Sequence, residues 1–141
     1  MNILDALENE NNSFILNLTN KKIKLLKYEI LKELSLSKKE IVEYMKKLKD
    51  YRYVDQMNEL RYGGFIRWIS IIDPTIIKLS NVGIFCELKI DDSGIHIIYT
   101  NFCGPYSNKK YYQFKMDECL IFQKINNQEK ILLLAMDNLE N

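Results

Sequence analysis

A chain of 141 residues with 47% hydrophobic and 28% charged side chains is the size and composition of one soluble globular domain. At that length it buries roughly two-thirds of its unfolded surface and needs neither a metal nor a disulfide to fold. The net charge of +1 hides an uneven spread: residues 21–49 carry ten lysines against Glu29, Glu33, Glu40 and Glu43, while both ends of the chain are acidic.

The three cysteines, Cys86, Cys103 and Cys119, are odd in number and form no C-x-x-C. That excludes a disulfide framework and a cysteine-based zinc spacing, and it fits a reducing, intracellular and cytoplasmic setting. No signal-peptide pattern and no apolar run near 18 residues occurs, so no membrane contact is expected. The 17 lysines against three arginines follow the A/T-rich codon bias of the whole composition, so lysine number alone carries little functional weight.

In chain order, residues 2–9 read as a short helix with Ile3, Leu4 and Leu7 inward, and Asn9 to Ser13 as a turn. Thr19 or Asn20 is placed to cap the next helix, in which Ile23, Leu26, Ile30 and Leu34 recur at helical spacing and Leu31 widens the stripe. Lys21, Lys22, Lys24, Lys27 and Lys32 are expected mostly on its other sides. Ser37-Lys38-Lys39-Glu40 is a capping-box sequence that opens a second helix running to about Tyr51. Its inward residues are Ile41, Met45 and Leu48, joined by Val42 or Tyr44, and Lys46, Lys47 and Lys49 suit the negative end of its dipole. Two helices joined by a short turn raise a DNA-reading helix-turn-helix, but the second presents no outward Arg, Asn or Gln to read base edges.

Tyr51 to Glu59 reads as a polar connection, and Gly63-Gly64 admits the chain to a strand from Phe65 to Ile72 with apolar side chains on both faces. Asp73-Pro74-Thr75 is a turn, and Ile76 to Leu79 is a short strand or apolar loop. Ile84 to Ile90 alternates as a half-buried strand, Asp91-Asp92-Ser93-Gly94 closes a hairpin, and Ile95 to Thr100 returns. Asn101 to Lys110 is a loop, Tyr111 to Met116 a strand, and Leu120 to Ile125 the last core strand. Residues 127–140 read as a terminal helix, capped at Asn127, or as a strand.

The expected fold is α+β: one domain whose helical part, residues 1–52, packs on a β core over residues 60–125. That core is a small antiparallel sheet or an SH3-like or Sm-like barrel.

Chemistry-bearing motifs are scarce. There is no phosphate-binding glycine loop, no G-x-S-x-G and no H-E-x-x-H, and the single His96 sits mid-strand. Asp91 and Asp92 belong to a turn, and Cys103 has no activating neighbour. No catalytic residue, metal site or cofactor is therefore expected. If its strand is buried on both faces, Arg67 must find a carboxylate or carbonyl, or emerge at an edge. Trp68 is core or a stacking platform. The aromatic and basic residues Arg61, Tyr62, Tyr106, Lys109, Lys110 and Tyr111 flank loops where a barrel rim could hold a protein or a nucleic acid. Lys46 and Lys47 on the basic helical face complete the candidate binding set.

The run Tyr51-Arg52-Tyr53-Val54, then Leu60 with Gly63-Gly64-Phe65-Ile66-Arg67-Trp68-Ile69, then Ile121-Phe122-Gln123-Lys124, resembles small uncharacterised proteins encoded by giant double-stranded DNA viruses. The resemblance spans about residues 38–136. It implies the infected-cell cytoplasm or the virion as location and carries no assigned activity or site residue. The composition and motifs together favour a non-enzymatic binding or adaptor module, with an assembly component of a viral particle as the alternative.

Overall fold

The computed structural model describes residues 5, 6, 15, 18–101 and 110–140. The expectations for the remainder of residues 1–17 and for Cys103, Tyr106 and Lys109 lie outside the described residues.

Helix α1 spans Asn20–Lys32 and α2 spans Lys38–Lys47. Thr19 caps the first through its side-chain oxygen, which accepts from the Lys22 amide at 3.1 Å. The capping box opens the second: Ser37 Oγ accepts from the Glu40 amide and Glu40 Oε1 from the Ser37 amide, each at 3.2 Å. The inward face of α1 keeps Ile23 and Leu31 of the expected stripe, with Ile30 and Leu34 partly buried against the core, but adds Lys27 and turns Leu26 outward. Ile23, Lys27 and Leu31, spaced four apart, are its buried residues, while Leu26 is 40% exposed. In α2 it is Tyr44, not Val42, that joins the core.

Six strands follow: β1 Tyr51–Val54, β2 Phe65–Ser70, β3 Gly83–Asp91, β4 Gly94–Asn101, β5 Tyr111–Lys115 and β6 Cys119–Lys124. They form one antiparallel sheet in the order β1-β6-β2-β3-β4-β5. Its ladder is open, so of the two expected architectures it is the sheet. The expected polar connection from Tyr51 is a strand for its first four residues, pairing Tyr51 with Lys124 and Val54 with Ile121. The hairpin at Asp91 to Gly94 is as expected. The chain ends in helix α3, Asn127–Glu140, and not in a strand. Its reciprocal cap lies one residue before the expected one: Asn126 Oδ1 accepts from the Glu129 amide and Glu129 Oε1 from the Asn126 amide.

The sheet curls strongly. In a flat sheet four strand spacings, about 19 Å, would separate β5 from β6. The chain crosses that gap through a single 3-10 turn, Met116–Glu118, whose four Cα steps reach at most about 14 Å. Curling brings Ile66, Phe85, Ile97 and Ile121 from four strands into one buried cluster on the concave face. The convex face packs Ile69 and Phe122 against Leu31, Tyr44 and Leu48 of the helical layer. A third cluster joins Ile23 of α1 to Leu132 and Leu133 of α3. Asp137 of α3 accepts from the Asn20 amide at 3.0 Å and from its side chain at 2.8 Å, which ties the two helices end to end.

Candidate functional site

Arg67 and Trp68 both face inward interactions. Arg67 Nε donates to the Ser80 carbonyl at 3.0 Å, the carbonyl partner that burial of its strand requires. Trp68 packs against Tyr99 and Phe114, with ring centroids at 4.3 and 4.8 Å, and those two rings touch each other at 5.7 Å. Gly83 makes room for it, since a Cβ there would stand 3.0 Å from both the Trp68 and Tyr99 rings.

Arg61 belongs to a buried charge cluster that the sequence did not reveal. Arg52 Nη1 meets Glu59 Oε1 at 2.8 Å, while Arg52 Nε and Arg61 Nη2 each lie 3.4 Å from Glu129 Oε2. Glu129 is fully buried and Arg52 nearly so. Gln123 finishes the cluster, accepting from the Arg61 amide at 2.8 Å and donating to the Glu59 carbonyl at 2.9 Å. Each buried charge faces an opposite one, and the cluster pins residues 59–61 to β6 and α3. Burial pulls the Arg61 guanidinium below its ordinary pKa, with Glu129 opposing and Arg52 adding to the effect.

Tyr62 projects beside this cluster and is 85% exposed. It lines a hollow of about 420 Å³ with Gly63, Gly64, Lys124 and Lys130. Gly63 turns the chain there at φ 78°, a conformation in which a side chain is strained. Lys110 and Tyr111 are exposed at the opposite, β5 end of the sheet. Lys47 is paired with Glu43 at 3.0 Å on the surface of α2. The structure thus distributes the described members of the sequence-derived set over four places and does not bring them together.

What it does assemble is a groove of about 630 Å³ between α1 and α2. Ile23, Ile41, Met45 and Ile125 form its apolar floor, with Tyr28 and Val42 at its margin. The charged residues lining it are Lys24, Lys27, Lys46 and Lys49, with no carboxylate among them. Lys46 is the one member of the sequence-derived set found here. Lys24, Lys46 and Lys49 are exposed, whereas Lys27 is only 3% exposed. Lys27 Nζ donates to the Leu48 carbonyl at 2.6 Å and reaches the Lys49 carbonyl at 3.4 Å, so it closes the C-terminal end of α2 from the neighbouring helix. Burial lowers its amine to about 8, Asp50 opposes that shift, and Lys24 adds to it.

Two arrangements resembling catalytic ones resolve otherwise. Ser93 Oγ and Asp91 Oδ1 lie 2.9 and 3.0 Å from the same ring nitrogen of His96, Nε2. A nucleophile relay places the hydroxyl and the carboxylate on opposite nitrogens, so this exposed cluster is a hairpin turn. Cys119 is pushed up to about 11 by burial, with Glu118 and Asp117 contributing, which removes its nucleophilic form at neutral pH. Among the described residues no group of three or more His, Cys, Asp or Glu side chains is placed to hold a metal ion, and no helix is long and apolar enough to cross a membrane.

Comparison of the chain with protein-family models, with curated proteins and with solved structures finds no match.

Proposed function

We propose that this chain is a non-enzymatic binding module that holds a protein partner on its basic helical face. The observation that carries the reading is the α1–α2 groove, whose floor is apolar and whose charges are all lysines. Such a groove complements an amphipathic helix bearing Asp and Glu beside its apolar stripe. Helices of 13 and 10 residues offer such a partner about three turns of contact. A nucleic acid fits less well, because the floor presents isoleucine and methionine where stacking aromatics or arginine would be needed.

The test is selection from a phage-displayed library of random peptides about 16 residues long against the immobilised full chain. Enrichment of sequences with apolar residues at helical spacing and flanking carboxylates, lost against Lys46→Glu/Lys49→Glu, supports the reading. No enrichment, together with strongly salt-dependent binding to nucleic acid, replaces it with the nucleic-acid alternative.

A second reading, an assembly component working through apolar contacts, has its own support. Ile72 and Ile76 are 68% and 67% exposed on the loop between β2 and β3. The viral setting implied by the sequence resemblance belongs with that reading. Concentration-dependent light scattering that vanishes in Ile72→Ser/Ile76→Ser would favour it.

A further inference from the structure

Among the described residues no carboxylate lies within ion-pair distance of Lys27, and Asp50 acts on it only from farther off. A buried ammonium is ordinarily paired, because an unpaired charge out of water is costly. Yet none of the ion pairs among the described residues involves Lys27, and its hydrogen bonds go to the Leu48 and Lys49 carbonyls. An ammonium has three N–H donors. Two are directed at the end of α2, and the residue lines the groove.

We propose that Lys27 is the specificity-determining anchor of the groove, receiving one carboxylate carried within the apolar stripe of the bound helix. This deepens the reading of the groove as a protein-binding site and rests on it. The exposed lysines Lys24, Lys46 and Lys49 attract any acidic segment and discriminate little, since exposed charge pairs contribute weakly. A carboxylate that reaches Lys27 loses its own water and so must be met there. A partner lacking it leaves the ammonium buried and unpaired, and a partner carrying it elsewhere buries an unpaired anion. The groove therefore selects for an Asp or Glu at one position of the apolar stripe.

The charged groups around Lys27 are Lys24 on its own helix, Lys46 on α2, and Lys49 and Asp50 in the turn between α2 and β1. With its amine near 8, Lys27 is largely neutral in the free protein at about pH 8.5. A carboxylate arriving beside it favours the charged form, so binding takes up a proton there.

The experiment uses a peptide from the phage selection, its Glu→Gln counterpart at the apolar-stripe position, and the full chain. Titration calorimetry is run at about pH 8.5 and pH 6.5 in buffers of different ionisation enthalpy. Expected are a roughly 30-fold weaker affinity for the Gln peptide, and a fractional proton uptake at the higher pH that falls away at the lower. In Lys27→Met the two peptides should bind within about twofold, with no uptake. If the selection returns no peptide, the protein-binding reading itself fails. If peptides bind but wild type prefers neither Glu nor Gln and takes up no proton, Lys27 serves only to cap α2 and the proposal is overturned. The uptake measurement needs only wild-type protein, so it decides the matter even where Lys27→Met folds poorly.

Discussion

Trp68 and Phe114 stack with ring centroids 4.8 Å apart and planes 27° from parallel, although β3 and β4 lie between their strands. Three strand spacings would hold such residues about 14 Å apart in a flat sheet. Their contact is therefore the curl itself, expressed in two side chains. Trp68→Ala should cost about 3 kcal/mol, and a double-mutant cycle with Phe114→Ala should give a coupling of about 0.5–1.5 kcal/mol. Gly83→Ala, which places a methyl against the Trp68 and Tyr99 rings, should cost about 1–3 kcal/mol. Urea denaturation of the four variants measures all three, and a coupling near zero would mean the rings do not hold the curl.

The cluster of Arg52, Glu59, Arg61 and Glu129 locks the segment before β2 to α3. Arg52→Ala takes the cation from Glu59 and leaves Glu129 with Arg61 alone, and should cost about 3–5 kcal/mol. Glu129→Gln keeps an acceptor for the Asn126 amide and should be milder. Because the cluster is buried, the loss should persist in high salt. Chemical denaturation at low and high ionic strength tests this, and a loss abolished by salt would place these charges at the surface.

Lys27 makes stability depend on pH in a defined direction. Its amine is lowered to about 8 in the fold and returns to the ordinary lysine range on unfolding. Between those values the unfolded chain binds more protons, so Lys27 makes stability rise with pH above about 8, by up to about 1.4 kcal/mol per pH unit. Cys119 acts oppositely from about pH 9, because its thiol stays protonated in the fold up to about 11. Tyr51, Tyr53 and Tyr99, all raised by burial, add to that fall above about pH 10. The informative quantity is the difference between wild type and Lys27→Met, which should grow in favour of wild type from pH 8 to 10. Parallel curves would show that the amine is solvated.

The same shift makes Cys119 a slow thiol. A thiol pushed up to about 11 carries about 100-fold less thiolate at neutral pH than an ordinary one. Iodoacetamide labelling followed by mass spectrometry should modify it at least that much more slowly in the native chain than in urea. Equal rates would contradict its burial.

Much of the framework is written locally, and those parts are legible in the sequence. The Ser37–Glu40 capping box and the Asp91–Gly94 hairpin each need only a few adjacent residues. β1 is less legible because four residues give little alternation and Arg52 sits on its inward side, a placement that makes sense only once Glu129, 77 positions away, is beside it. Lys27 shows the same limit. Its spacing of four from both Ile23 and Leu31 marks it as facing inward, but a lysine there reads as surface until α2 supplies the carbonyls it binds. The groove depends on how two helices pack, which neither helix's periodicity contains.

In the proposed function, binding resides in the α1–α2 groove and not at the sheet's β5 end. The direct measurement is the affinity of one selected peptide for wild type, Lys46→Glu/Lys49→Glu and Lys110→Glu/Tyr111→Ala. Reversing the two groove lysines should weaken binding about tenfold or more, with the β5-end pair within about twofold of wild type. The opposite ordering would place binding at the β5 end and contradict a groove site.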